Sequence, residues 1–262
     1  MKVALAQLDI AWENKEENKK RCDDMIKQAK EQYVELIVFP EMTLTGFSMD
    51  TNKLGETFEN SATITFFQQK AKQYHIAIVF GLIIKMGEKS ENHCIMVNEN
   101  GEIITDYAKI HPFSYGAESK YYSGGNDVVF GNIKEIPIST LICYDLRFPE
   151  IFQACSEKSH IITVIANWPM QRRCHWVSLL KARAIENQCY ILGVNRCGSG
   201  DGLDYSGDSM IIDPYGEVVA WAKQSCQTLV VADIDDTIVS KYREEFPLKK
   251  DRKPSLYRQL YQ

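Results

Sequence analysis

Three polar residues of the chain stand where apolar runs end. Glu41 follows Leu36-Ile37-Val38-Phe39-Pro40, so a carboxylate falls at the carboxyl end of a buried strand, just after a proline that stiffens the exit. Cys143 closes Ile138-Ser139-Thr140-Leu141-Ile142 and precedes Tyr144-Asp145-Leu146-Arg147-Phe148-Pro149-Glu150, the pattern of a strand turning sharply into a new element. Lys109 lies in Asp106-Tyr107-Ala108-Lys109-Ile110-His111-Pro112-Phe113, where a strand-like run gives out and a lysine has apolar neighbours on both sides. Strand ends are where α/β sheets place ligand sites. A helix starting after Cys143 would offer free N–H groups that lower a thiol pKa and bind an oxyanion. Singly, the three have ordinary explanations as a structural cysteine, a loop glutamate and a solvated lysine, and Glu118 in Tyr115-Gly116-Ala117-Glu118-Ser119-Lys120 looks more ordinary still. Jointly they meet what amide cleavage requires: a nucleophile, a base to deprotonate it, and positive charge where the carbonyl oxygen becomes negative.

Alternating strands and helices must position these ends. Apolar and β-branched runs at 3–8, 36–39, 76–84, 94–97, 138–143, 161–166, 190–194, 210–212 and 229–232 predict mostly buried strands. Asn14 to Gln32 predicts the clearest helix, with Asn14 as cap, Glu17 completing a capping-box-like pair, and Cys22, Met25, Ile26 and Ala29 as an inward stripe. Ser61 to Tyr74 predicts a second helix. His175 to Asn187 predicts a third, with Trp176, Leu179, Leu180 and Ala184 at helical spacing. Asn92 to Tyr107 and Asp208 to Ala222 break the alternation, each holding two strand-like runs around a turn, at Asn98-Glu99-Asn100-Gly101 and Asp213-Pro214-Tyr215-Gly216. The mixture implies α/β layers with antiparallel additions. The charged stretch from Lys241 to Gln262, interrupted by Pro247 and Pro254, is expected to hug the surface.

With 262 residues, 45% hydrophobic and 25% charged, and no linker or repeat, the chain is expected to form one domain over residues 1–262. A net charge of -5 argues against nucleic acid, whose binding needs a clustered excess of Lys and Arg. Asp9 and Glu13 interrupt the N-terminal apolar stretch, and no run nears the roughly 20 residues of a membrane span, so a soluble, cytoplasmic protein without membrane partners is expected. The eight scattered cysteines form no Cys-x-x-Cys pair and have no zinc-like spacing to the five histidines, so reduced thiols and no metal are expected.

The motifs, in order, resemble the nitrilase or carbon–nitrogen hydrolase superfamily. Phe39-Pro40-Glu41 with Thr45-Gly46-Phe47 comes first, then Tyr107-Ala108-Lys109, then Ile142-Cys143-Tyr144-Asp145-Leu146-Arg147-Phe148-Pro149-Glu150. Ala182-Arg183-Ala184-Ile185-Glu186-Asn187-Gln188, Asn195-Arg196 with Gly198, Gly207-Asp208-Ser209, Asp213-Pro214-Tyr215-Gly216-Glu217 and Asp251-Arg252-Lys253-Pro254-Ser255-Leu256-Tyr257 continue the match over nearly the whole chain. The resemblance implies a four-layer α-β-β-α sandwich, which periodicity alone does not distinguish from other α/β folds, and pairing into a homodimer. It implies Glu41 as base, Cys143 as nucleophile, and Lys109 with the Tyr144 backbone N–H as oxyanion donors. It also implies Glu118 as an additional glutamate that orients or transfers protons, a thioester intermediate, and no cofactor. Asp145 and Arg147 are expected to fix the turn, Arg147 by neutralising a buried carboxylate. A Cys143–His175 dyad becomes unnecessary.

Ala166-Asn167-Trp168-Pro169, Arg172 and His175-Trp176 look like the omega-amidase branch, whose members hydrolyse the terminal amide of keto-dicarboxylic acid monoamides such as 2-oxoglutaramate or 2-oxosuccinamate. Such a small-molecule substrate carries a far-end carboxylate that a guanidinium holds bidentately, and Arg172 is the candidate, with Arg173 as substitute. Trp168 is expected to wall the pocket, with Phe47 and Tyr122 as further candidates. Hydrolysis of a carbamoyl amino acid or deaminated peptide amide is the alternative activity. A catalytically inactive dimeric binding protein is the alternative of another class.

Overall fold

The computed structural model describes residues 1–260. Its strands are β1 (Lys2–Gln7), β2 (Leu36–Val38), β3 (Ala77–Met86), β4 (Lys89–Val97), β5 (Ile103–Ala108), β6 (Tyr122–Ser123), β7 (Gly131–Ile133), β8 (Ile136–Ile142), β9 (Ile161–Ala166), β10 (Tyr190–Asn195), β11 (Cys197–Gly200), β12 (Leu203–Ser206), β13 (Met210–Ile212), β14 (Val218–Trp221) and β15 (Thr228–Asp233). Its α-helices are α1 (Lys15–Glu31), α2 (Thr51–Leu54), α3 (Ala62–Tyr74), α4 (Glu118–Tyr121), α5 (Pro149–Ser156), α6 (Arg173–Asn187), α7 (Thr237–Glu245) and α8 (Pro254–Leu260). None of the described helices is long and apolar enough to cross a membrane.

The strands form two large sheets. One runs β15-β1-β2-β3-β4-β5, with β6 beside β4, and the other β14-β13-β10-β9-β8-β7. Side-chain alternation dictates the layering. In β1 and β2, Val3, Leu5, Leu36 and Val38 join the core shared with the second sheet, while Ala4, Ala6 and Ile37 pack with Cys22, Met25, Ile26 and Ala29 of α1 and Ile64, Phe67 and Ala71 of α3. Between the sheets, Cys94 Sγ on β4 lies 3.0 Å from Thr140 Oγ1 on β8. Helices α5 and α6 cover the far side of the second sheet with Phe152, Cys155, Trp176, Leu180 and Ala184. The result is a four-layer α-β-β-α sandwich.

Strand direction brings the expected ends together. β1, β2 and β3 are mutually parallel, as are β8, β9 and β10. β5 is antiparallel to β4, itself antiparallel to β3, so β5 ends on the same edge as β2. The chain leaves β2 into Glu41, β5 into Lys109, β8 into Cys143 and β9 into Asn167.

The helix expectations hold with local changes. Asn14 Oδ1 accepts from Glu17 N at 3.1 Å, but the Glu17 carboxylate takes Arg21 Nε at 2.9 Å instead of returning to the cap. The third helix begins at Arg173, two residues earlier than expected. The charged tail carries more helix than its prolines suggest, because Pro254 occupies the first turn of α8, where no N–H is needed. It lies on the surface through Arg243, which donates to the carbonyls of Gln188 and Ser159. Positions 261–262 of the tail expectation lie outside the described residues.

Candidate active site

Glu41 is fully buried, and the backbone beside it is tightly constrained. Met42 has φ +45°, and the corner packs so closely on β3 that a side chain at Gly81 would run into Met42 N and Glu41 Cα. Gly81 N donates to Thr43 Oγ1 at 3.0 Å and Thr43 N to Gly81 O at 2.9 Å, which locks the corner. Only glycine permits this approach.

Cys143 follows β8 with φ +46°, left-handed backbone that is unfavourable for a side chain. It opens a 3-10 turn over Cys143–Arg147, so the N–H of Tyr144 precedes the turn's first internal hydrogen bond. Asp145 holds this elbow as the sequence suggests. Fully buried, it accepts from Ile142 N at 3.0 Å, Tyr107 OH at 2.7 Å, His111 N at 3.1 Å and His111 Nδ1 at 2.8 Å. Because Tyr107 and His111 flank Lys109, one carboxylate fixes the Cys143 turn to the lysine's loop.

Lys109 is buried between two carboxylates. Its Nζ lies 3.1 Å from Glu41 Oε1 and 3.0 and 2.9 Å from the two oxygens of Glu118. Burial alone would lower the ammonium's pKa, but Glu118 and Glu41 outweigh it and hold the pKa above its ordinary value. Burial pushes the Cys143 thiol well above its usual range, Glu41 and then Glu118 add to this, and Lys109 partly offsets it. The expectation of a thiol acidified by a following helix is therefore corrected: burial first, and then the neighbouring Glu41 carboxylate, favour the protonated sulfur. His175 is exposed and meets Arg147 Nη2 at 3.2 Å, so no Cys143–His175 hydrogen bond forms.

Two asparagines complete the cluster, and sequence reasoning gave neither a role. Asn92 Nδ2, from β4, donates to Glu41 Oε1 at 2.7 Å and to Glu118 Oε1 at 3.2 Å. Asn167 donates its backbone N–H to Glu41 Oε2 at 2.8 Å and its side-chain amide to Glu41 O at 2.6 Å, while its carbonyl lies 4.0 Å from Cys143 Sγ. The available signals were a polar residue inside a β-run for Asn92 and a strand-end position for Asn167.

A pocket of about 490 Å³, open mouth included, leads to Cys143 and Lys109. Phe47, Phe113, Tyr144, Trp168, Leu203 and Tyr205 supply much of its wall, and Arg147 and Arg172 its charge. Trp168 and Phe47 stand where the sequence suggests. Tyr122 does not: it is buried behind the site, its hydroxyl donating to Ser48 O at 2.5 Å. Arg172 faces the pocket with its guanidinium 5.4 Å from the Phe113 ring centre. Arg173 is engaged elsewhere, paired with Asp208 through two 2.8 Å hydrogen bonds. Arg147 also departs from expectation. It neutralises no buried carboxylate but lies 4.8 Å over the Trp168 ring, on the pocket wall. Among the described residues neither Arg147 nor Arg172 is ion-paired to a carboxylate. The arrangement offers a thiol, a buried carboxylate, an ammonium and a backbone donor at one end, and along the wall two guanidiniums that no described carboxylate pairs, Arg172 and the His175-bonded Arg147.

Comparison with known proteins agrees with this geometry. The carbon–nitrogen hydrolase family model matches residues 2–244. The chain is 32% identical over 258 residues to the 2-oxoglutaramate amidase of Bacillus subtilis, covering 97% of this chain and 98% of that protein. It is 33% identical over 252 residues to the omega-amidase YafV of Escherichia coli K12, covering 96% of each. Among solved structures, a carbon–nitrogen hydrolase superfamily protein from Xanthomonas campestris with an arsenic adduct in its active site superposes with a TM-score of 0.90 at 27% identity, over 97% of both chains.

Proposed function

The chain belongs to the carbon–nitrogen hydrolase family, a hydrolase acting on amide carbon–nitrogen bonds, and from that premise we propose that it is a cysteine-dependent amidase for small carboxylate-bearing substrates, with 2-oxoglutaramate or 2-oxosuccinamate as its amide. The observation that carries the chemistry is Lys109 held between Glu41 and Glu118 in the pocket that Cys143 also lines. Glu41 takes the thiol proton as sulfur attacks the amide carbon. Lys109 and the Tyr144 N–H hold the resulting oxyanion. Collapse breaks the carbon–nitrogen bond, Glu41 returns its proton to the leaving nitrogen, and ammonia departs from a Cys143 thioester. Water, deprotonated by Glu41, then attacks the thioester carbon, releasing the acid and restoring the thiol. Glu118 orients Lys109 with both oxygens and is itself fixed by Phe113 N at 2.5 Å.

The specificity reading rests on the pocket wall. Arg172 supplies the carboxylate clamp, Arg147 a second cation, and Trp168 a rigid side whose Nε1 donates to Arg172 O at 2.8 Å. The domain is read as spanning the whole chain. Exposed Ile185, Tyr215 and Val219 support a homodimer, which sedimentation checks, and eight unpaired cysteines suit the reducing cytoplasm. Ammonia release from 2-oxoglutaramate, 2-oxosuccinamate, glutamine, a carbamoyl-β-amino acid and a simple nitrile tests the substrate. The keto-acid amides are expected to be strongly preferred; equal or better turnover of the carbamoyl compound would overturn the substrate while sparing the mechanism.

A further inference from the structure

Asp208 lies outside the reaction centre, yet its hydrogen bonds reach the chain neighbours of two parts of the pocket wall. It is fully buried and adopts φ +58°, left-handed backbone that aspartate tolerates better than most residues. Its Oδ2 accepts from Arg173 Nε at 2.8 Å and Ser206 Oγ at 2.7 Å. Its Oδ1 accepts from Arg173 Nη2 at 2.8 Å and Trp221 Nε1 at 3.2 Å. Its carbonyl accepts from Trp176 Nε1 at 2.9 Å, within the first turn of α6.

Two of these partners, Arg173 and Ser206, lead back to the pocket. Arg173 follows Arg172, whose carbonyl takes Trp168 Nε1, so the Arg172 backbone is held on one side by the tryptophan and on the other through its neighbour's fork on Asp208. Ser206 ends β12, which carries Leu203 and Tyr205 to the wall. Asp208 makes no described hydrogen bond to Glu41, Lys109, Glu118 or Cys143.

We infer that Asp208 is a specificity-positioning residue, and that through Arg173 and Ser206 it sets Arg172, Trp168 and β12 in the arrangement that receives the substrate's charged end. The inference rests on the reading of Arg172 as the carboxylate clamp. All four groups that meet the Asp208 carboxylate are donors, so an amide in its place would turn an NH2 toward at least one of them in either orientation. Asp208→Asn therefore loosens the latch while barely changing its volume.

The test compares Asp208→Asn with the parent enzyme on 2-oxoglutaramate and on propionamide, which has no carboxylate, and measures Cys143 alkylation by iodoacetamide. The expected result is a KM for 2-oxoglutaramate raised about tenfold, as losing one charge-assisted hydrogen bond predicts, with kcat, the alkylation rate and kcat/KM on propionamide each within about threefold of the parent. An equal loss on both amides would make Asp208 a fold residue only, and an unchanged KM would remove its role. Should Asp208→Asn not fold, Arg173→Lys, which keeps the charge but loses the fork, is read by the same measures with the same expected and contrary results. Arg172→Met separates the premises. If it raises the KM for 2-oxoglutaramate and the latch variant does not, the latch fails alone; if it leaves that KM unchanged, the carboxylate reading fails and the latch inference falls with it.

Discussion

The two ends of the pocket are built in opposite ways. At the reaction centre every charge is buried and answered: Lys109 sits between Glu41 and Glu118, and Asn92 and Asn167 donate to the carboxylate oxygens. Along the wall Arg147 and Arg172 are half-buried, stacked on aromatic rings, and carry charge that no described carboxylate answers. A closed network can hold atoms at reacting distance in a dry site, whereas a guanidinium with no carboxylate partner can gain a substrate carboxylate without first breaking an ion pair inside the protein. The contrast assigns rate to one end and selectivity to the other, and substitutions should divide accordingly.

The largest effect belongs to the sulfur. Cys143→Ala should fold normally and lose turnover by on the order of 10⁴ or more, since the lysine's other described neighbours of this kind, Glu41 and Glu118, already serve as base and positioning group; appreciable hydrolysis by the folded variant would mean that another group attacks. Lys109→Met comes next. Removing an oxyanion donor costs roughly 2.7–4 kcal/mol, or about 10² to 10³ in kcat, and leaving two buried carboxylates uncompensated should also lower Tm. A variant with full kcat would break the division at its root.

Asn92→Ala deprives both carboxylates of a donor without touching the substrate, so kcat should fall on the order of tenfold with KM nearly constant. Arg172→Met is its mirror, with KM for 2-oxoglutaramate up about tenfold or more and kcat little changed. Should both substitutions move the same parameter, the two ends would not be separable. The smallest effect is an expected zero. Burial and the Glu41 charge raise the Cys143 pKa, so the thiolate fraction is expected to grow only as pH climbs beyond the ordinary thiol range, with the protonated sulfur expected near neutral pH. The 240 nm absorbance of the parent should then match that of Cys143→Ser at pH 7–8, near and below the usual thiol pKa of about 8.5. A thiolate band there would replace proton transfer to Glu41 by a preformed ion pair with Lys109.

The closed end was the more legible in sequence, because its residues follow apolar runs whose ends can be read without knowing the fold. Glu41, Lys109 and Cys143 stand at such ends, and strand direction alone gathers them. Asn92 was missed because the expected strand began at Cys94, whereas β4 starts at Lys89; in its polar first half Asn92 is buried against the Glu41 and Glu118 carboxylates, not by a hydrophobic layer. The open end depends on β11 and β12, whose stretch Cys197-Gly198-Ser199-Gly200-Asp201-Gly202 has no apolar alternation to announce a hairpin. It also depends on a one-residue distinction. Arg172 closes a 3-10 turn and Arg173 opens α6, so adjacent identical side chains point to different partners, which spacing alone cannot tell. Nearness to Cys143 suggests a structural Arg147, yet the turn is held by Asp145 and by Arg183, which donates to Leu146 O at 3.1 and 2.7 Å, leaving the Arg147 guanidinium to the pocket.

Everything assigned to the reaction centre converges on one covalent species. Mixing the enzyme with 2-oxoglutaramate, quenching in acid within the first turnover and measuring intact and peptide mass should show the substrate's acyl group, less ammonia, on the peptide containing Cys143, formed no later than the first equivalent of ammonia. Ammonia released with no adduct at any quench time, or an adduct on a different residue, would contradict the thioester route and the role given to Cys143.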